Sequence, residues 1–133
     1  MSLLIGLLLL AAQAAPPMPK NNPNGTWESA SGTKYEMRLN GKDLHVQIVE
    51  GSNTRYVKYE VNLKNEDEAN TYSGTGFFVT KFPNGKECKY DTDWRFVVVT
   101  PDQIIGSTSN IVPDPETCGV KDKNQVQLDL KKK

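Results

Sequence analysis

From Thr26 onward, apolar side chains return at every second position of the chain. That period suits half-buried strands and does not fit a helix, whose apolar face recurs every three to four residues. Tyr35, Met37 and Leu39 share one face of residues 34–40, and Leu44, Val46 and Ile48 share one face of residues 43–49. Between them, Asn40-Gly41 supplies the positive-φ pair of a type I′ turn, which predicts a hairpin. Residues 55–64 repeat the alternation, with Val57, Tyr59, Val61 and Leu63 inward and Tyr56, Lys58 and Glu60 outward. Further strands are predicted at 25–29, 71–81, 87–90, 94–100, 103–110 and 124–130, with Gly74 and Gly76 marking a bend or bulge and Pro83-Asn84-Gly85 and Pro101-Asp102 marking turns. Strands joined by loops this short predict an all-β fold, a single antiparallel up-and-down barrel of about eight strands.

The N-terminus has a different character. Residues 1–14 form an apolar run closing on Ala12-Gln13-Ala14, the pattern of a signal peptide and its cleavage site, and the run is too short to span a bilayer. No later segment is long and apolar enough for a transmembrane helix, so the expectation is a secreted or periplasmic protein. Residues 15–24, rich in Pro and Asn, read as an extended spacer, residues 25–130 as the barrel domain, and Lys131-Lys132-Lys133 as a basic tail. An oxidising compartment gives the two cysteines a meaning, a Cys88–Cys118 disulfide.

Charge and residue chemistry narrow the function. Sixteen basic residues balance sixteen acidic ones, so nothing draws the chain electrostatically to nucleic acid, and no nucleic-acid partner is expected. His45, the single histidine, falls on the face opposite Leu44 and Val46 and reads as a surface residue. No serine or cysteine has a recognisable base and orienting group, so no catalytic residue is expected. Asp91 and Asp93 project from the same face without an opposed carboxylate, and their neighbours Thr92 and Trp94 point to a turn or rim. Glu66-Asp67-Glu68 lacks the spaced oxygen ligands and glycine of a calcium loop, so neither metal nor cofactor is expected. What remains is a non-catalytic binding protein. A barrel of this size holds one small ligand or is filled by its own side chains, and Tyr35, Met37, Val46, Val57, Tyr59, Val61, Phe96 and Val98 are the candidate lining. Tyr56 and Phe77 are expected on the outside, as an aromatic patch for a protein partner.

Two local patterns resemble known families. Gly25-Thr26-Trp27 and Thr92-Asp93-Trp94 are similar to the G-x-W and T-D-Y signatures of lipocalins, with Trp94 where that family has tyrosine. The resemblance implies a secreted barrel for a small lipophilic molecule, with Trp27 and Trp94 as structural residues of the barrel end. Ser29-Ala30-Ser31-Gly32-Thr33-Lys34-Tyr35 resembles the S-A-S-G-x-x-Y segment of periplasmic C-type lysozyme inhibitors. That likeness implies a protein-binding inhibitor whose loop, with Ser29, Ser31, Lys34 and Tyr35, enters the lysozyme cleft, and it sets His45 or Lys42 in the place of the family's second-strand lysine.

Overall fold

A computed structural model describes residues 21–66 and 70–133; the expected signal peptide, residues 15–20 of the expected spacer and residues 67–69 lie outside the described residues. The chain forms eight strands: β1 (Gly25–Ser29), β2 (Lys34–Asn40), β3 (Asp43–Ile48), β4 (Tyr56–Asn65), β5 (Thr71–Lys81), β6 (Glu87–Thr100), β7 (Gln103–Pro113) and β8 (Val120–Lys132). Each pairs antiparallel with its sequence neighbour, and β1 pairs with β8 to close the barrel. The expected fold class is therefore the observed one. Closure removes most of the free strand edge that an open sheet would leave.

Alternation is cleanest in β6, where Cys88, Tyr90, Thr92, Trp94, Phe96 and Val98 are buried and every intervening residue is exposed. This strand runs unbroken through the region expected as two strands and a turn. Trp94 consequently stands buried in mid-strand and not at a turn. Trp27 does lie where the chain enters, fully buried, with its indole N–H donating to the Pro23 carbonyl at 2.8 Å.

Other expectations need correction at the level of single residues. The β2–β3 register pairs Asn40 with Asp43, so Gly41-Lys42 forms the loop centre, and only Gly41 takes positive φ there. Gly74 and Gly76 sit in an uninterrupted ladder with β4. A Cβ at Gly76 would overlap the Glu60 carbonyl, so close approach of the β4 backbone demands glycine there, not a bulge. The spacer is partly structured: Asn21 donates through its side chain to the Val98 carbonyl at 2.9 Å, and Pro23 is buried. The basic tail is also part of the barrel, since Lys131 and Lys132 pair with Glu28 and Trp27 across the closing seam. The Lys133 amide donates to Thr26, and the Lys132 ammonium stands 5.4 Å from the Trp27 ring centre.

β6 pairs with β7 only between Trp94↔Thr108 and Thr100↔Gln103, and the remainder of β7 continues as a two-stranded hairpin with β8. In this hairpin Ile111 is buried while Val112, Val120 and Val126 are exposed. The Cys88–Cys118 disulfide, with Cα atoms 5.3 Å apart, ties the hairpin tip back to β6. The Lys86 ammonium donates to the Glu116 carbonyl at 2.7 Å, and the Tyr90 hydroxyl to Gly119 at 3.5 Å. No helix among the described residues is long and apolar enough to cross a membrane.

Candidate functional site

The barrel axis is occupied by aromatic rings. An unbroken run of contacts leads from Tyr90 to Phe78 (centroids 5.6 Å apart), Tyr59 (5.4 Å), Trp94 (5.9 Å), Phe96 (6.4 Å) and Tyr72 (5.5 Å). Tyr35 adds edge contacts to Tyr59 and Trp94 at 5.5 and 5.1 Å. The Trp94 indole N–H donates to the Tyr59 hydroxyl at 2.9 Å, which gives this buried donor its partner. Desolvation by burial pushes the Tyr35 phenol far above its ordinary pKa, helped by the nearby Tyr59 and Tyr56 hydroxyls, so Tyr35 is held as the neutral phenol. The Tyr72 hydroxyl is buried without a hydrogen-bond partner among the described residues. Replacing Tyr72 by Phe removes that unpaired group at little cost in packing, and urea unfolding should show a stability equal to or about 1 kcal/mol above the parent.

Of the candidate lining, Tyr35, Met37, Val46, Tyr59, Val61, Phe96 and Val98 are all buried, brought together as the alternation requires. Val57 is not: it is 52% exposed. A register shift between Tyr56 and Lys58 inserts one extra residue into β4. A bulge of this kind reverses the facing of the residues before it. Tyr56 is accordingly half-buried, with its ring 5.0 Å from Tyr59 and 5.1 Å from Phe78, and it does not join Phe77 in an exposed patch. Phe77 stays on the outer face, between the ammonium groups of Lys89 (4.3 Å) and Lys58 (5.4 Å).

The second candidate is the loop joining β1 and β2 at one end of the barrel. The Gly32 amide donates to the Ser29 carbonyl, the Ser29 amide to the Thr33 carbonyl and the Thr33 amide to Ser29 Oγ at 3.2 Å. Gly32 supplies the positive φ of +90° that closes this turn. Ser31 is exposed at its tip, and its hydroxyl lies 2.9 Å from Ser29 Oγ. Lys34 is half-buried, and Tyr35 points away into the core, so the structure groups Ser29, Ser31 and Lys34 but not Tyr35. The β3–β4 loop buttresses this turn: Asn53 Nδ2 donates to Thr33 Oγ1 at 2.7 Å, and the Lys34 amide donates to Ser52 Oγ at 3.2 Å. Ser52 Oγ donates in turn to the Val49 carbonyl at 2.7 Å. His45 lies elsewhere, on the outer face, with Nδ1 2.9 Å from Asn62 Oδ1 and Nε2 3.3 Å from a Glu60 oxygen.

Beside this loop pair the barrel wall opens. β3 and β4 pair from Asp43↔Lys64 to Gln47↔Glu60 and then diverge. Between Ile48–Val49 on one side and Tyr56, Val57 and Tyr59 on the other lies a half-open cleft of about 570 Å³. Neither the divergence nor the bulge leaves a mark in the alternation, so sequence reasoning missed the cleft. The loop between β3 and β4, carrying Gly51-Ser52-Asn53-Thr54, is longer than a tight hairpin turn and was the one available signal. Among the described residues no group of three or more His, Cys, Asp or Glu side chains is arranged to hold a metal ion.

Compared with protein-family models, with curated proteins and with solved structures, the chain matches none.

Proposed function

We propose that this chain is an exported, non-catalytic binding protein that takes a protein partner on the barrel rim formed by the β1–β2 and β3–β4 loops. The observation that carries the reading is the Ser29–Thr33 turn, closed on itself and held by Asn53 and Ser52, with Ser31 exposed at its tip. A loop fixed before binding loses little conformational entropy on association. The disulfide and the leader-like start support export, where such bridges persist.

Because the Ser29–Tyr35 segment resembles that of C-type lysozyme inhibitors, a C-type lysozyme is the first partner to assay, by the lysis rate of a bacterial cell-wall suspension. The parent chain should inhibit, and the double substitution Ser31→Trp and Lys34→Glu should weaken inhibition about 30-fold or more, the loss expected at the centre of an interface. Absence of inhibition by the parent rejects this partner, and inhibition untouched by the double substitution rejects the loop.

The lipocalin-like alternative, a small lipophilic ligand inside the barrel, draws support from the closed eight-stranded topology and from Trp27 plugging the entry end. Against it stand the interior rings, which a ligand would have to part. That cost favours the rim.

A further inference from the structure

The cleft between β3 and β4 has an apolar floor and an acidic border. Ile48, Val49, Tyr56, Val57 and Tyr59 offer the apolar surface, and Glu36, Glu50, Glu60 and Lys58 line the border, with the Arg38 and Arg55 guanidinium groups close by on Glu36 and Tyr56. Glu36 is bridged to Arg38 at 2.6 Å, and Glu60 lies 3.7 Å from Lys58 and 3.3 Å from His45. Glu50 is exposed and makes no salt bridge among the described residues. The aromatic wall already suits a guanidinium, since that of Arg55 stands 5.4 Å from the Tyr56 ring centre.

We infer that this cleft receives an arginine or lysine side chain of the protein partner, its aliphatic stem lying on Ile48 and Val57 and its charge meeting Glu50 and Glu60. The inference rests on the rim-binding reading and adds the partner's chemistry at that rim. Long basic side chains suit such a place because the stem is apolar while the head stays within reach of water. The stem would cover Val57, which the bulge in β4 leaves 52% exposed. Opposite charges across the border also hasten encounter and reject acidic partners.

The test is an NMR titration of the 15N-labelled chain with acetyl-Leu-Arg-Leu-amide, using acetyl-Leu-norleucine-Leu-amide as the uncharged control. The arginine peptide should move the amide signals of Ile48, Val49, Val57 and Lys58, and bind about ten-fold more tightly than the control. In the variant Glu50→Gln/Glu60→Gln that preference should fall to about two-fold or less, as expected once both carboxylates are gone. Equal binding of the two peptides, a preference unchanged in the variant, or shifts confined to other parts of the barrel would overturn the inference. The titration should be unaffected by Ser31→Trp/Lys34→Glu, which separates the two ideas. A chain that binds the arginine peptide in the cleft but binds its protein partner without need of the loop contradicts the loop alone; one that needs the loop but shows no charge preference in the cleft contradicts the cleft alone.

Discussion

Replacing Trp94 by alanine should lower the stability of the barrel by about 3–5 kcal/mol, the range for deleting a large buried aromatic side chain. Trp94 is 2% exposed, touches Tyr35, Tyr59 and Phe96, and donates its indole N–H to the Tyr59 hydroxyl. Its removal therefore opens a void at the centre of the ring chain and withdraws the donor on which that hydroxyl depends. Urea unfolding should show the midpoint falling with little change in slope, because the fold and its buried surface are otherwise kept. The void should also accept a small apolar guest, so the variant, unlike the parent, should regain stability in benzene-saturated buffer. A loss below about 1 kcal/mol would mean that the interior is looser than the ring contacts indicate.

The second large effect is expected at the disulfide. Removing it as Cys88→Ala/Cys118→Ala should cost about 3–4 kcal/mol in the chain-entropy treatment, for a bridge between residues 30 apart in sequence. The effect should also have a location. Beyond Thr108 the β7–β8 hairpin no longer pairs with β6, and the bridge is the covalent hold on its tip. Hydrogen exchange in the variant should therefore quicken most in residues 109–126, while Phe96 and Val98, in the ladder of β5, β6 and β7, stay protected below global unfolding. Uniform quickening through the whole barrel, or unchanged stability, would contradict this division.

How much of the molecule was legible in sequence can be judged from particular residues. Alternation reports which face a side chain takes so long as the ladder is regular. It placed Tyr35, Met37, Val46, Tyr59, Val61, Phe96 and Val98 correctly inside, and the short loops between strands led to the right barrel. It failed at Val57 and Tyr56, because one inserted residue reverses the facing and no composition marks where the insertion falls. Thr92 and Trp94, beside the two aspartates, point in sequence to a turn or rim, whereas Thr92 is buried inside an unbroken strand and Asp93 is its outward neighbour. The spacer and the basic tail are assigned on local composition, which says nothing of distant partners such as the Trp27 indole that Pro23 and Lys132 meet. Of the candidate site, the β1–β2 turn was visible through Ser31-Gly32. Its buttress and the neighbouring cleft were not, since both depend on where β3 and β4 part.

The claim that the barrel is filled by its own side chains, with binding left to the rim, is tested most directly by native mass spectrometry of the protein recovered from its own source, compared with the same sample denatured and unreduced. The account predicts the same polypeptide mass in both, free of any small molecule. Additional mass carried natively and released on denaturation would contradict it and place a ligand among the rings.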